Sequence, residues 1–339
     1  MERVNIAVTG LGHFHGYSYA RAVKELTHGN LVAVSDDDAG RAKEAGQRYG
    51  VEHYLDYHDV LKRNDVDAVI ITSENTKHAQ MAVDAAEARK HVLCEKPMAT
   101  TVPDADRMSS AAQRAGIKFQ MCFVMRYHAV SRLIKNAVDK GRIGKVVAMT
   151  GTNHLKWLEQ LHTGFFIRPE LSGGGSVMDH TIHLLDLMRW YTKSEAQKVY
   201  TTIGKNVHPE LPVEDNGLTV IDFRSGAVGT IDGSWSRPAG WYMWGDMALE
   251  IIGTKGMLSF DAFRQVVYVT QAEAPNNRLE WNFWGCDADK EMVRGFIDCI
   301  LEDKKPVATA FDGRQGTEIT VAAYESAKKG EPVLLPMTS

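Results

Sequence analysis

The stretch His91-Val92-Leu93-Cys94-Glu95-Lys96-Pro97 reads as a short apolar strand that ends abruptly in a carboxylate, an amine and a proline. Proline has no amide hydrogen to give to a ladder, so the strand stops there. In an open parallel sheet, ligands bind in the crevice beyond the carboxyl ends of the strands, so a lysine at such an end stands where chemistry is usually done. Lys96 is therefore the first candidate site residue, set against the plainer reading of a surface lysine before a turn. Its neighbours in sequence decide between the two.

Upstream, Val4-Asn5-Ile6-Ala7-Val8 is a β-branched apolar run that breaks into Thr9-Gly10-Leu11-Gly12-His13-Phe14-His15-Gly16 and then a helix-like stretch from Tyr17 to Leu26. Strand, glycine turn and helix in that order let the backbone approach a pyrophosphate, which rests on the helix N-terminus. Gly10, Gly12, His13, Phe14 and His15 are the candidate contacts of this turn. His15 stands where the common GxGxxG fingerprint has its third glycine, with Gly16 one place later, a departure that bears on helix packing more than on phosphate contact. The next strand, Leu31 to Ser35, closes with Asp36-Asp37-Asp38. A carboxylate at the end of the second strand accepts from the ribose hydroxyls and repels a 2′-phosphate. No arginine directly follows Asp36, so NAD is expected over NADP, with Asp36 on the ribose and Asp38 capping the helix that begins near Ala39.

The run Asp67 to Thr72 is a buried parallel strand. It ends in Ser73-Glu74-Asn75-Thr76-Lys77-His78, and a helix continues to Ala88. Repeated strand and helix units of this length imply right-handed crossovers and a doubly wound parallel sheet, an α/β fold. A helix within 98–118 and the strand Phe119 to Phe123 complete it. From Gly144 the pattern changes to strands over 145–153, 198–205, 218–224, 228–236, 248–253 and 266–270, joined by turns such as Ser225-Gly226 and Thr254-Lys255-Gly256. Short turns between consecutive strands imply antiparallel pairing. A helix from Val177 to Tyr191 must cover one face of that sheet. The other face is too apolar to leave wet, and it is expected to pair with another subunit. The chain thus divides into a Rossmann domain over 1–123 and an α+β domain over 124–339 with a large, open, mostly antiparallel sheet.

The bulk properties agree with this division. At 339 residues, two domains of ordinary size are expected, and 44% apolar with 24% charged residues is the balance of a globular protein. The net charge of -4, without a basic stripe, argues against nucleic acid as a partner. The first ten residues run straight into a strand without a leader pattern, and no apolar run reaches membrane-spanning length, so a cytoplasmic location is expected, without a membrane partner. Cys94, Cys122, Cys286 and Cys299 lack the paired spacing of a zinc or redox motif, so buried free thiols in a reducing compartment are expected.

Downstream, Ser172-Gly173-Gly174-Gly175-Ser176 is a loop without side-chain bulk, followed at once by Val177-Met178-Asp179-His180-Thr181-Ile182-His183. Asp179 and His183 are four apart and share a helical face, which a substrate can approach across the glycines. An imidazole titrates near neutrality and can take a hydroxyl proton, while a nearby carboxylate orients the ring and stabilises the imidazolium. The plainer reading is a histidine that fills the surface between the domains. A metal held by His180 and His183 is a poor reading, because the two are only three apart and no third ligand is near in sequence, so no metal is assigned. Arg126, where the chain leaves the first sheet, either holds substrate or cofactor or forms a salt bridge between domains. His154, Trp157, His162 and Arg168, with Asn153, lie between the first long strand and the glycine loop and are placed as candidate substrate contacts. Trp235, Trp241, Trp244, Trp281 and Trp284 offer faces on which sugar rings rest, though such residues are more often core.

Gly10-Leu11-Gly12, Asp36, Thr72-Ser73-Glu74-Asn75 with His78, Glu95-Lys96-Pro97, and Gly173-Gly174-Gly175 with Asp179 and His183 resemble the Gfo/Idh/MocA family of nicotinamide-dependent oxidoreductases. The resemblance runs on to the tail, Asp312-Gly313-Arg314 to Pro336, and departs at Glu74, where many members carry proline. It implies that Thr72, Ser73, Asn75, His78, Glu95, Lys96 and Pro97 face the cofactor, that Lys96 lies near the nicotinamide ribose or carboxamide, and that the Lys96-Pro97 peptide is cis. It also implies an oligomer, dimer or tetramer, formed through the open sheet, and a polyol, sugar or cyclitol substrate. The expected reaction is hydride transfer between a secondary alcohol and the nicotinamide, with His183 as general acid/base, Asp179 beside it, and Lys96 stabilising the alkoxide. Two alternatives remain open: glycoside cleavage by transient oxidation and elimination, with His154 or His162 as a second base, and a non-catalytic sensor on the same fold.

Overall fold

The computed structural model describes residues 3–156, 164–263, 266–270, 279–283 and 287–337, so Trp157, His162, Trp284 and Cys286 lie outside the described residues. The chain forms two compact units. The first comprises Met1–Val124, Glu170–Gly173 and Ala288–Val321; the second comprises Met125–Pro169, Gly174–Asp287 and Ala322–Ser339.

In the first unit, β1 (Val4–Thr9), β2 (Gly29–Ser35), β3 (Glu52–Tyr54), β4 (Ala68–Ile71), β5 (His91–Cys94) and β6 (Phe119–Met121) form one sheet in the order β3-β2-β1-β4-β5-β6. Every pairing is parallel. The strand order reverses between β1 and β4, which is where a doubly wound sheet opens a crevice. β4 is buried at each of its positions, as an all-apolar parallel strand must be. The crossovers are α1 (His15–Glu25), α2 (Ala39–Tyr49), α3 (Tyr57–Leu61), α4 (His78–Glu87) and α5 (Val102–Ala115). The Asp38 carboxylate accepts from the Arg41 amide and starts α2, and Gly50, left-handed at φ 63°, ends it. Residues 288–321, which a cut after 123 leaves with the second half, pack with the first unit. The helix Ala288–Leu301 buries Met292, Val293, Phe296 and Ile297, and Lys290 reaches Glu25 on α1 at 2.8 Å.

In the second unit, α6 (Ala129–Asp139) precedes a sheet of β7 (Val146–Lys156), β8 (Ala196–Gly204), β9 (Asn216–Phe223), β10 (Val228–Arg237), β11 (Gly245–Gly253), β12 (Gly256–Asp261) and β15 (Val333–Leu334), in the order β12-β11-β7-β10-β9-β8-β15. β13 (Val266–Thr270) and β14 (Leu279–Phe283) form a separate hairpin. Neighbours in the large sheet are antiparallel, except that β10 runs parallel to β7. The exception follows from the helical segment between β7 and β8, which brings the later hairpin back beside β7 in the same direction. On one face lies α7 (Ile182–Thr192) with the turn before it. Gly151 and Gly217 let that layer approach: a Cβ at Gly217 would lie 2.3 Å from Val177 Cγ2, and one at Gly151 would lie 2.9 Å from Leu184. The other face shows Tyr200, Leu218, Val228, Ile252 and Met257, all exposed, interleaved with Thr150, Thr152, Thr202 and Thr230.

Candidate functional site

The glycine turn after β1 is docked on the turn after β4. Gly10 has φ 77°, and a Cβ there would lie 2.5 Å from that of Ser73, so both backbone conformation and space demand glycine. The His13 amide donates to the Thr72 carbonyl at 2.9 Å, and the Thr72 hydroxyl donates to the Gly10 carbonyl. Gly16, whose Cβ would meet Thr72 Oγ1 at 2.5 Å, makes the close helix approach that the fingerprint usually assigns one residue earlier. Beyond the carboxyl ends of β1, β2 and β4, a cavity of about 500 Å³ is lined by Gly10, Asp36, Ser73, Glu74, Lys77 and Met81, among others. A turn with glycines at positions 10 and 12 beside a cavity lined by carboxylates fits the pyrophosphate and adenosine ribose of a dinucleotide.

Asp36 is buried and well held. Its Oδ2 accepts from the Leu11 amide, and its Oδ1 accepts from the Asp38 amide at 2.8 Å and from Arg41 Nε and a terminal nitrogen at 3.0 and 2.7 Å. Arg41, in the first turn of α2, is a neighbour that the residues directly after Asp36 in sequence do not reveal. Lys77 lies 2.6 Å from Asp37 and 3.0 Å from Glu74, and Arg41 lies 3.9 Å from Glu74. Two cations at the cavity rim are thus tied by three carboxylates. Glu74, at the family's usual proline position, adds an acid to that rim.

At the end of β5, the Lys96-Pro97 peptide is cis, and the Lys96 side chain is buried. His78 is wholly buried behind this turn, with Nδ1 2.8 Å from the Pro97 carbonyl and Nε2 3.1 Å from that of Ser73. Burial holds its imidazole below the ordinary pKa of 6.5. His78 therefore braces both turns instead of facing the cavity. Asn75 Nδ2 similarly donates to the Ser172 carbonyl at 2.8 Å. Glu95 is also wholly buried and accepts from the Tyr19 hydroxyl at 2.7 Å, with His15 Nδ1 at 3.5 Å and His13 Nε2 at 3.9 Å. Burial opposes charge on both partners, but Glu95 raises the His15 imidazole, while His15 and Lys96 lower the Glu95 carboxyl. The ligand atoms of His13, His15 and Glu95 lie within 4.8 Å of one another. His13 Nδ1 accepts the His15 amide proton at 3.2 Å, so the neutral ring carries its hydrogen on Nε2, on the side of Glu95. The cluster is a hydrogen-bonded acid and base group, with Phe14 exposed at its edge.

In the second unit, the segment after the glycine loop opens as a π-turn, Val177–Thr181, before α7 begins. Such insertions are rare and recur at functional sites. The Asp179 carboxylate lies 3.1 Å from His180 Nε2, a partner that α-helical spacing did not single out. His183 is half-buried at the start of α7. Asn153 points to this layer, with Nδ2 donating to the His180 carbonyl at 3.1 Å. Strand alternation then sends His154 to the opposite face, between Asp232 at 3.2 Å and Asp246 at 3.4 Å. This placement does not suit the substrate role expected for His154. Arg126 is buried in a two-pronged pair with Asp186, at 2.8 and 2.6 Å, which favours the salt-bridge reading over the cofactor one, and the pair lies within this unit. Arg168 is exposed after a short helical turn. Trp235 is a core side chain. Glu214 and Tyr324, absent from the sequence reading, hold the glycine loop by contacts from distant segments.

Comparison with known proteins adds to this geometry. Residues 4–123 match the model of an oxidoreductase family with an NAD-binding Rossmann fold, and residues 131–259 match a GFO/IDH/MocA C-terminal domain. The chain is 28% identical to myo-inositol 2-dehydrogenase of Thermotoga maritima, over 98% of each chain. It is 29% identical to scyllo-inositol 2-dehydrogenase (NAD(+)) of Bacillus subtilis, over 98% of this chain and 97% of the relative. Among solved structures, scyllo-inositol dehydrogenase from Lactobacillus casei, with bound NAD(H) and scyllo-inositol, superposes with a TM-score of 0.85 at 25% identity, over 99% of this chain and 100% of that one.

Proposed function

The chain belongs to the Gfo/Idh/MocA family of oxidoreductases, and on that premise we propose that it is an NAD-dependent dehydrogenase of a cyclitol or a closely related polyol or sugar. The observation that carries the reading is the convergence, at the carboxyl ends of one parallel sheet, of the bare glycine turn, the buried Asp36 and the buried Lys96. The relatives named for inositol support the substrate class.

Gly10, Gly12 and the turn amides hold the pyrophosphate in this reading, and Asp36 holds the adenosine ribose. The bound nicotinamide supplies hydride acceptance and donation. Lys96 places an ammonium against the substrate oxygen and stabilises negative charge as the hydroxyl proton leaves. The His183 imidazole takes that proton, and Asp179 favours the imidazolium by its charge. Arg41 and Lys77 are already paired with carboxylates, so neither is held ready for a 2′-phosphate, which supports NAD over NADP. We further infer a cytoplasmic protein, since Cys94, Cys122 and Cys299 are buried free thiols, and a homo-oligomer through the uncovered sheet face. Among the described residues, no helix is long and apolar enough to cross a membrane.

A panel of inositols, sugars and polyols incubated with NAD or NADP and followed by NADH or NADPH absorbance tests the reading. Turnover is expected with at least one cyclitol or sugar, with NAD strongly preferred. Lys96→Ala and His183→Ala are each expected to lower kcat by about a hundredfold or more, the range of lost electrostatic or acid/base catalysis. Unchanged activity in both variants removes the site assignment. Release of a glycone without net NADH points instead to cleavage by transient oxidation.

A further inference from the structure

The amides that open the π-turn have unusual partners. A helix leaves its first four N–H groups without intrahelical acceptors, and a nearby N-cap side chain normally serves some of them. Here Ser176, before the turn, makes no capping hydrogen bond with its side chain. The acceptors come instead from two distant segments. The Gly175 amide donates to Glu214 Oε1 and Oε2 at 2.9 and 3.0 Å, and the Val177 amide donates to Oε1 at 3.0 Å. The Ser176 amide donates to the Glu214 carbonyl at 3.0 Å. The Met178 amide donates to the Tyr324 hydroxyl at 3.1 Å, and that hydroxyl in turn donates to Glu214 Oε1 at 2.7 Å. Four consecutive amides, 175 to 178, thus end on one glutamate and one tyrosine.

The glycines of the loop belong to the same assembly. A Cβ on Gly174 would lie 2.0 Å from the Tyr324 hydroxyl, and one on Gly175 would lie 2.0 Å from the Glu214 carbonyl oxygen. Any side chain at either position pushes the glutamate or the phenol out of reach of the amides. The glycines therefore serve a seat for Glu214 and Tyr324 and not only a path for substrate. Both side-chain groups act at a stretch that runs directly into Asp179, His180 and His183.

We propose that Glu214 and Tyr324 are positioning residues that fix the π-turn in the register presenting Asp179 and His183 to the reaction. This rests on the reading of those two residues as the proton-handling pair. Neither Glu214 nor Tyr324 needs to touch substrate for it. In each of its contacts the Glu214 carboxylate accepts, three times at Oε1 and once at Oε2, so the group works as an anion against the positive end of the turn. Holding that anion is not what keeps the fold together: burial raises the Glu214 pKa, so its ionisation costs folding free energy near neutral pH. Glu214→Gln keeps the size and planarity of the group while replacing an acceptor oxygen by a donor.

The test uses the full-length protein, Glu214→Gln and Tyr324→Phe. Hydrogen exchange over residues 174–183, read by mass spectrometry, is expected to quicken about tenfold in each variant, as for the loss of one backbone hydrogen bond, while the strands of the first unit keep their protection. The titration midpoint of the His183 ring, read by carbon NMR, is expected to move. With the substrate found in the panel above, kcat is expected to fall about tenfold to hundredfold with KM for NAD unchanged, the loss produced by an ångström of misplacement. Unchanged exchange in both variants overturns the proposal. Faster exchange with neither kcat nor the His183 midpoint altered also overturns it, since the contacts would then be structural only. Should His183→Ala and Asp179→Asn retain activity while exchange and kcat respond in Glu214→Gln and Tyr324→Phe, the proton-handling reading falls and the control of the turn stands.

Discussion

Two carboxylates set the charge of His154. Burial by itself would lower its pKa, but Asp232 and Asp246 outweigh burial and raise it from 6.5 to about 9, and Arg237 holds Asp246 from the other side. Because the folded-state value lies above the unfolded one, this stabilisation is fully present below pH 6.5 and is lost as pH rises through about 9. The urea midpoint of the parent is therefore expected to fall between pH 6.5 and 9.5 more steeply than that of His154→Gln, and equal slopes would show that the two acids do not hold a charged ring. The same residue illustrates what single positions disclose in sequence. His154 and Asn153 look equally eligible for a substrate pocket, and only the strand's pairing decides which of the two faces the helical layer. The Asp38 cap and the positions of Asp36 and Lys96 just past strand ends are legible in the sequence, because each has a local reason to be there. Arg41, Glu214 and Tyr324 are not, because their partners come from the far end of a turn or from another segment altogether.

At the scale of elements, the doubly wound half could be read almost strand by strand, since buried parallel strands are continuous apolar runs and their order follows from the crossover rule. Antiparallel hairpins in the second sheet were equally plain from their turns. The parallel β7 and β10 pair was not, since nothing local records which distant strand fills the central position. The π-turn was hidden for a related reason: a spacing of four looks α-helical in sequence, and no local residue pattern marks the wider turn. Gly217 on β9 is part of that support. Gly217→Ala would place a methyl against Val177 Cγ2, and overpacking of this kind is expected to cost about 1–3 kcal/mol in urea unfolding. Adding Val177→Ala to the same variant should restore much of the loss. If the double variant is as unstable as the sum of the two single ones, the contact is not the cause.

For the molecule as a whole, the exposed apolar side chains of the outer sheet face, Tyr200, Leu218, Val228, Ile252 and Met257, are the surface on which self-association is to be tested. Its five long strands, β7 to β11, run 8 to 11 residues each, and with strand spacings of ~4.8 Å and rises of ~3.3 Å they span roughly 700 Å². Two such faces together bury about 1,400 Å², above the ~1,000 Å² that a specific interface needs. The face is not uniformly apolar, since threonines separate Leu218, Val228 and Ile252, and Asp232 stands directly across from Leu218. A closed pair would therefore have to be specific in register, because a shifted copy would set aspartates against leucines. Leu218→Glu places a second acid beside Asp232 in the middle of this surface, where burial without a partner is costly. Sedimentation velocity is expected to show an oligomer for the parent and a monomer for Leu218→Glu at the same micromolar concentration, with the Rossmann unit still binding NAD. A parent that sediments as a monomer, or a variant that stays assembled, would place any self-association on another surface.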